Sequence, residues 1–172
     1  MPVTFNHTGL VVSDLDRSLK FYCDGLGLHA SMVVDAEGKE LSQWLGYPNV
    51  KVRAAFVSGV DGTSVELIEY KRPKSEKRSD AEMHKRAAIG ACHVAFIVDD
   101  IEKTWKKLIS LGGKPLNPPV AVGKKLKGLY MQDPDGNWVE LDEDKAHKKQ
   151  PFRIVQNTAF LPAKLARTKT KL

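Results

Sequence analysis

The feature that most constrains how this chain can fold is an internal repeat. The thirteen residues that begin at His7 read His-Thr-Gly-Leu-Val-Val-Ser-Asp-Leu-Asp-Arg-Ser-Leu, and those that begin at His93 read His-Val-Ala-Phe-Ile-Val-Asp-Asp-Ile-Glu-Lys-Thr-Trp. In both copies the histidine opens a short apolar segment typical of a β-strand, and an aspartate, Asp14 or Asp100, follows seven residues later. Aspartate is a favoured helix N-cap, so each copy predicts a strand followed by a helix. A chain that repeats one supersecondary unit is expected to form two equivalent modules.

The remainder of each copy has the composition and turn residues of β-strands. An Asp-Gly pair at Asp61 and the Asp-Pro-Asp-Gly run that begins at Asp133 predict tight turns before the last strand of each copy. These last strands share the tripeptide Val-Glu-Leu, centred on Glu66 and on Glu140. Extended segments are predicted at residues 30–34, 52–58 and 63–70 in the first copy, and at 114–116, 126–131 and 137–141 in the second. The sequence therefore predicts an α+β fold made of two βαβββ modules.

The repeat also predicts the domain organisation. We expect a single domain over residues 1–144, with module one at 1–70, a polar linker at 71–88 and module two at 89–144, followed by a basic tail at 145–172. Module one has a longer loop at about residues 35–49, which carries Trp44 and Tyr47. Long loops on a rigid scaffold are common places for substrate contacts, so we expect such contacts there.

The basic net charge of +6 belongs to the tail. Eight of the 27 Lys and Arg residues lie from Lys145 onward, whereas all 21 acidic residues lie at or before Asp144. The tail lacks the interleaved aromatic residues of a nucleic-acid interface, and no apolar run reaches the roughly 18–20 residues of a membrane span, so neither partner is expected. Two cysteines do not make a disulfide framework, and the N-terminus has no secretory-signal pattern, so the sequence predicts a cytoplasmic protein.

Two residue types stand out against the apolar strands. Glu66 and Glu140 each lie between apolar neighbours on a strand, where a charge is costly unless it is paired or bound to a metal. A lone strand histidine is more often a satisfied core residue than a ligand, and a lone strand glutamate is usually exposed. Here, however, His7 and His93 accompany the two glutamates at positions related by the repeat. This set of side chains predicts one divalent ion, Zn²⁺, Ni²⁺, Co²⁺, Mn²⁺ or Fe²⁺, bound by His7, Glu66, His93 and Glu140.

The motifs of residues 7–28, 65–69, 93–101 and 133–141 together resemble the vicinal oxygen chelate superfamily. This superfamily includes glyoxalase I, methylmalonyl-CoA epimerase, extradiol dioxygenases and the bleomycin and fosfomycin resistance proteins. The resemblance implies a pair of βαβββ modules whose mixed sheet forms a cup around one metal ion. It also implies a small-molecule substrate and a homodimer. In one respect the chain departs from bacterial glyoxalase I, because Val11 occupies the place of an arginine that helps to hold glutathione there.

Within the superfamily, two His and two Glu ligands resemble the glyoxalase and epimerase branch. The resemblance implies a divalent-metal-dependent lyase or isomerase that stabilises an enediolate of a small carbonyl or thioester substrate, with Glu140 and Glu66 as candidate catalytic bases. Two alternatives stay open. An extradiol-type Fe(II) dioxygenase would use His7, His93 and Glu140 without Glu66. A resistance-type protein would bind a drug or metabolite without metal.

Overall fold

Each copy of the repeat forms its own mixed β-sheet in the computed structural model, which describes residues 3–79 and 85–145. The first sheet contains four strands, namely β1 (His7–Val12), β2 (His29–Glu37), β3 (Lys51–Ser58) and β4 (Ser64–Arg72). Their order is β1-β4-β3-β2, with β1 parallel to β4 and the other neighbours antiparallel. The parallel pair places the first and last strands of the module side by side, so residues from both ends of the repeat meet on one face.

The second sheet repeats this arrangement. Its strands are β5 (His93–Ile97), β6 (Lys114–Pro115), β7 (Val120–Val122), β8 (Leu126–Gln132) and β9 (Trp138–Asp144). The order β5-β9-β8-β6 again pairs the first and last strands in parallel, and β7 pairs with β8. The α+β fold of two βαβββ modules is thus confirmed. The short strand β7 is an addition of module two that the sequence did not predict.

A helix follows the first strand of each module, as predicted. In module one, α1 (Leu15–Leu19) continues into a π-helical segment, Lys20–Gly25, and Asp14 caps α1 by accepting a hydrogen bond from the Arg17 N–H. In module two, α3 (Ile101–Ser110) is capped in the same way by Asp100, which accepts from the Lys103 N–H. Both aspartates therefore act as the predicted N-caps.

A second carboxylate supports each helix from the last strand of its module. Glu69 Oε2 lies 3.4 Å from the backbone nitrogen of Leu15, and Glu143 Oε2 accepts a hydrogen bond of 3.1 Å from that of Ile101. Each of these glutamates lies three residues after a predicted ligand, Glu66 or Glu140. The repeat therefore includes a capping carboxylate that holds each helix against its own sheet.

The two modules share one hydrophobic core. Both sheets turn one face towards the helices, and the buried apolar residues form a single cluster: Leu10, Val12, Leu15, Phe21, Tyr22, Ala55, Val57, Val65, Leu67, Val94, Ile101, Leu108, Leu129, Met131, Val139 and Leu141. The helical segments pack closely where a Cβ on Gly25 would lie only 2.5 Å from a Leu108 methyl carbon. The single-domain boundaries remain a prediction, since residues 80–84 of the linker and 146–172 of the tail lie outside the described residues.

Polar contacts also join the modules. The Tyr22 hydroxyl donates to Asp133 Oδ2 at 3.0 Å, and both partners are buried. Burial raises the pKa of Asp133, and burial together with the neighbouring charge of Asp133 raises that of Tyr22. Nearby, Asp135 accepts a hydrogen bond from the Ser13 hydroxyl and pairs with the Arg17 guanidinium, each at 2.6 Å. The predicted Asp133–Gly136 turn therefore also anchors module two to the start of α1.

The predicted loop at 35–49 is more ordered than expected. Strand β2 extends to Glu37, and a short helix, α2 (Lys39–Leu45), follows it. Gly38 and Gly46, both at positive φ, flank this helix, which has no buried residue. None of the helices among residues 3–79 and 85–145 has both the length and the apolar composition to cross a lipid bilayer.

Candidate metal centre

The first histidine and the first glutamate meet on module one. His7 on β1 and Glu66 on β4 project from the sheet face opposite the core, and His7 Nε2 lies 3.1 Å from Glu66 Oε2. Phe56 lies directly opposite Glu66 on β3, and its ring contacts the imidazole edge to face, with 5.2 Å between the ring centroids. We call His7, Glu66 and Phe56 half-site one.

Module two builds the same group from the equivalent strands. His93 Nε2 on β5 lies 2.9 Å from Glu140 Oε2 on β9. Tyr130 lies opposite Glu140 on β8, and its ring contacts the imidazole edge to face, with 5.3 Å between the centroids. We call His93, Glu140 and Tyr130 half-site two. The four predicted ligands therefore form two pairs of nearly identical geometry, each held by a parallel strand pair.

One hydroxyl distinguishes the two half-sites. Tyr130 donates a hydrogen bond of 2.6 Å to Glu140 Oε2, whereas Phe56 has no group that could donate to Glu66. The hydrogen bond to Glu140, with smaller contributions from burial and the charge of that carboxylate, raises the pKa of Tyr130 to about 12. Tyr130 therefore keeps its proton at neutral pH and remains a donor.

The geometry of both pairs fits a bound cation. At about 3 Å, an imidazole nitrogen that carries no proton would repel a carboxylate oxygen, so either a proton or a cation must lie between them. His7 Nδ1 is buried and has no hydrogen-bond partner among the described residues, while His7 Nε2 faces the carboxylate. The ligand types also fit, because imidazole and carboxylate together suit Zn²⁺, Ni²⁺, Co²⁺, Mn²⁺ and Fe²⁺.

The structure brings together the members of each pair but does not bring the two pairs together. Across residues 3–79 and 85–145, no group of three or more His, Cys, Asp or Glu side chains lies close enough to share a metal ion. The arrangement of the core explains this separation. Since both sheets pack their apolar faces on one cluster, both half-sites lie on faces that turn away from it. Within the described part of a single chain, two predicted ligands therefore lie at each of two places.

Both half-sites are open to solvent. The side chains of Glu66 and Glu140 are 20% and 24% exposed, and those of His7 and His93 are 31% and 47% exposed. Apolar side chains on the same faces are exposed as well, including Val11 at 49% and Ile97 at 46%. Each half-site therefore lies on a partly apolar surface that a ligand or a second chain can reach.

A pocket of about 250 Å³ adjoins half-site two. It is lined by Arg86, Ala87, Ala91, Cys92, His93, Tyr130 and Trp138. The Arg86 guanidinium carbon lies 4.0 Å from the Tyr130 ring centroid and 5.2 Å from that of Trp138, within the range of cation–π contacts. The guanidinium of Arg86 therefore lies in this pocket, and a guanidinium is a group that binds anions such as carboxylates.

Sequence reasoning missed Tyr130, Phe56 and Arg86. Phe56 and Tyr130 could have been found from the pairing of the strands, because the residue opposite each predicted ligand on the neighbouring strand lies close to it. The predicted substrate contacts of the 35–49 segment remain a prediction. Tyr47 lines a groove of about 960 Å³ between α2 and the ends of β2 and β4, whereas Trp44 does not line it and is 84% exposed.

Comparison with known proteins agrees with this architecture. The family model for the glyoxalase/bleomycin resistance protein/dioxygenase superfamily matches residues 4–141. The lactoylglutathione lyase of Haemophilus influenzae is 33% identical over 144 residues, which cover 83% of this chain and 93% of that enzyme. A probable lactoylglutathione lyase of Synechocystis is 29% identical over 143 residues, covering 83% and 96%.

Solved structures share the fold. A glyoxalase family protein from Bacillus cereus superposes with a TM-score of 0.75 at 22% identity, covering 84% of this chain and 95% of that one. The trypanothione-dependent glyoxalase I of Leishmania major superposes with a TM-score of 0.57 at 22% identity, covering 89% and 95%. The chain therefore belongs to the glyoxalase/bleomycin resistance protein/dioxygenase superfamily, as its repeated motifs predict.

Proposed function

We propose that this protein is a divalent-metal-dependent lyase of the glyoxalase type, which converts the adduct of a thiol and a 2-oxoaldehyde into a 2-hydroxyacyl thioester. The observation that carries the proposal is the repeated His–Glu pair, with 3.1 Å between the facing atoms of His7 and Glu66 and 2.9 Å between those of His93 and Glu140. Relatives named lactoylglutathione lyase at about 30% identity support the same reaction class.

The reaction is an isomerisation that needs no oxidant. A carboxylate takes the proton from the adduct carbon that bears sulfur, and the C–H electron pair becomes the double bond of an enediolate. The neighbouring carbonyl oxygen receives the negative charge and takes up the proton of the hydroxyl on the sulfur-bearing carbon, whose oxygen becomes the thioester carbonyl. The carboxylate returns its proton to the second carbon, so that no atom or electron is gained or lost overall. When bound, a divalent cation supplies the positive charge that stabilises the enediolate oxygens. Glu66 and Glu140 are the candidate bases, because each carboxylate is partly exposed at its half-site.

We further propose that the complete centre forms between two chains, with half-site one of one protomer facing half-site two of its partner. The separation of the pairs within one chain supports this arrangement, as do the exposed apolar side chains Val11 and Ile97 beside the ligands. A two-fold symmetric dimer would then hold two equivalent four-ligand centres. In this proposal, the homodimer expected from the family resemblance is what completes the metal centre.

Activity is tested with methylglyoxal and a panel of thiols, after loading the protein with Ni²⁺, Zn²⁺, Co²⁺ or Mn²⁺ in turn. We expect thioester formation that depends on the metal and is equal in aerobic and anaerobic buffer. Oxygen uptake during turnover would favour the Fe(II) dioxygenase alternative. Protein purified without chelator that holds no metal and forms no thioester would favour the metal-free binding alternative.

Assembly across two chains is tested by complementation. The variant His7→Ala/Glu66→Ala lacks half-site one, and the variant His93→Ala/Glu140→Ala lacks half-site two. Each alone should hold almost no metal, whereas co-expression should produce mixed dimers with one complete centre each. At equal expression, half of the dimers are mixed, so about a quarter of the parent metal content is expected. A mixture as empty as the separate variants would contradict the intersubunit centre.

A further inference from the structure

The sheet face that carries half-site one continues along β4 as an uncharged surface. Beyond Glu66, the next two residues of β4 on that face are Ile68 and Tyr70. On β3, Ala54 pairs with Ile68 and Val52 pairs with Tyr70, and both of these β3 residues are buried. The surface that leads away from the proposed metal centre is therefore lined by aliphatic and aromatic groups.

An aromatic side chain from outside the sheet borders the end of this surface. Tyr47 follows α2, and its ring contacts that of Tyr70 edge to face, with 6.0 Å between the ring centroids and 73° between the ring planes. Tyr47 also lines the groove of about 960 Å³ beside α2, and it is 49% exposed. Tyr47 therefore joins the end of the strand face to the groove and remains accessible to a ligand.

The distance from the metal ligands decides which part of a substrate can reach this tyrosine pair. Tyr70 follows Glu66 by four residues, which is about 13 Å along an extended strand. The two carbons of the adduct that exchange a proton lie beside the metal ligands, and the methyl group of methylglyoxal is attached directly to one of them. Only the far end of the thiol is therefore long enough to meet Tyr47 and Tyr70.

The cations that line the same groove are placed less well to bind that end of the thiol. The Arg72 guanidinium pairs with Glu37 at 3.0 Å and donates to a backbone carbonyl oxygen. Lys39 begins α2, whereas Tyr47 lies beyond its last residue, so the length of this seven-residue helix, about 10 Å, separates the two. A neutral aromatic ring, and not a cation, therefore borders the end of the strand face.

We propose that Tyr47 and Tyr70 form a subsite for an uncharged aromatic or aliphatic group at the far end of the thiol, so that the substrate is the adduct of a thiol with such an end. The proposal rests on the proposed function and specifies the substrate class of that reaction. Contact with two aromatic rings removes apolar surface of both partners from water, which is favourable. A carboxylate in the same place would lose hydration without gaining a cation as partner.

The test compares methylglyoxal adducts of three thiols that differ at the far end. N-(2-mercaptoethyl)-3-phenylpropanamide ends in a phenyl ring, N-(2-mercaptoethyl)succinamic acid ends in a carboxylate, and N-acetylcysteamine is too short to carry either group. We expect the parent to have its lowest KM for the phenyl-ended adduct. Tyr47→Ala should raise that KM about tenfold with kcat unchanged, because the ring contributes binding and no chemistry. The KM for the short adduct should change by no more than about twofold.

Two further variants separate a subsite from a general effect on the fold. Trp44 is an aromatic residue of α2 that is 84% exposed and lies outside the residues that line the groove, so Trp44→Ala is the matched control and should leave all three KM values unchanged. Tyr47→Arg places a cation beside Tyr70 and should reverse the preference, with a lower KM for the carboxylate-ended adduct than for the phenyl-ended one. Each variant is also checked for a parental thermal unfolding midpoint.

The outcomes distinguish this subsite from the function on which it rests. If the metal-loaded protein turns over none of the adducts, the proposed function fails, and the subsite is then judged by the Kd values of the S-methyl thioethers of the same thiols, measured by calorimetry. Tighter binding of the phenyl-ended compound that is lost in Tyr47→Ala supports the subsite in either case. Equal affinity for the phenyl-ended and carboxylate-ended compounds would overturn it, as would a phenyl preference that persists in Tyr47→Ala. A preference for the carboxylate that is lost in Lys39→Met would also overturn it, because the groove would then bind an anion.

Discussion

Half-sites one and two have the same scaffold and different surroundings. In each, a parallel strand pair brings an imidazole within 3.1 Å of a carboxylate, and an aromatic ring packs against the imidazole. Beyond the His–Glu pair, the sheet faces of the two modules carry different residues. Along β4, Glu66 is followed on the same face by Ile68 and Tyr70. Repetition thus preserved the ligand geometry, while the residues around it diverged.

On β9 of module two, the positions equivalent to Ile68 and Tyr70 carry acidic residues. Asp142 and Asp144 follow Glu140 on one face of β9, and Arg86 stands at the rim of the adjoining pocket. Burial, with the charges of Glu140 and Asp144, raises the pKa of Asp142. The difference indicates how a substrate would lie in a centre formed by both half-sites. Its apolar part suits the face of half-site one, and its polar part suits the face of half-site two.

The largest expected difference between the half-sites concerns turnover. Glu66→Gln keeps a side-chain oxygen but removes one of the two carboxylates proposed as the base, so we expect kcat to fall by about 10²–10⁴-fold while the metal stays bound with lower affinity. Glu66→Ala should lose most of the metal. Glu140→Gln should weaken metal binding more than Glu66→Gln does. Metal content and kcat, measured on the same samples, check this order. A Glu66→Gln protein with parental kcat would assign the base elsewhere.

The two histidine variants should differ less from each other in metal affinity, because each removes one imidazole from the proposed centre. We expect His7→Ala and His93→Ala each to weaken metal binding by more than the roughly 10–100-fold that loss of an outer partner costs. Chelator competition with Co²⁺ measures both affinities. His29 is the exposed first residue of β2, and two strands, β4 and β3, separate β2 from the strand of His7. The control variant His29→Ala should therefore bind metal as the parent does. Full metal occupancy in His93→Ala would remove that residue from the ligand set.

A smaller effect, on substrate affinity, is expected at Arg86, which lines the pocket beside half-site two. Arg86→Met keeps an apolar stem against Tyr130 and Trp138 but removes the charge that an anionic group would meet. For the methylglyoxal adduct of glutathione, which is anionic, we expect KM to rise about tenfold, equivalent to roughly 1.4 kcal/mol. For the adduct of uncharged 2-mercaptoethanol, KM should not change. Val11→Thr, at an exposed position on the same sheet face as half-site one, is the control, and it should affect KM for both adducts alike. A rise in KM for both adducts in Arg86→Met would contradict an electrostatic role.

Most of the scaffold could be predicted from the sequence because it depends on local patterns. The repeat gave the modules, the alternation of strand residues gave the faces of His7 and Glu66, and Asp14 and Asp100 were identified as N-caps. The helix α2 could not be predicted in the same way. It spans only Lys39–Leu45 and buries no residue, so it has no apolar stripe from which to recognise it.

The site was only partly predictable for a different physical reason. Strand alternation fixes the face on which a side chain lies, but not which faces of two modules meet. Because both apolar faces pack on one core, His7 and His93 were separated in space although the repeat had grouped them. The contact between Tyr130 and Glu140 depends on the register between β8 and β9, which follows from the turn between them. Neither relation is contained in the local pattern of either strand.

The smallest expected difference concerns the capping carboxylates, and it tests whether the modules diverged in stability as well as in chemistry. Glu69 is buried, and its carboxylate contacts both the Leu15 N–H and the Lys71 ammonium group, with the Arg53 guanidinium 3.9 Å away. Glu143 accepts a hydrogen bond from the Ile101 N–H, and its side chain is less buried than that of Glu69. Replacement by glutamine keeps an acceptor for the helix N–H but removes the charge. We therefore expect Glu69→Gln to lower the free energy of unfolding by about 1–2 kcal/mol and Glu143→Gln by about 0.5 kcal/mol. Urea denaturation of the metal-free proteins measures both values, and Co²⁺ affinity should stay at the parental level, since neither residue is a ligand. Equal losses would mean that the cations around Glu69 add nothing to its capping role, and that the two modules differ in their sites but not in how their helices are held.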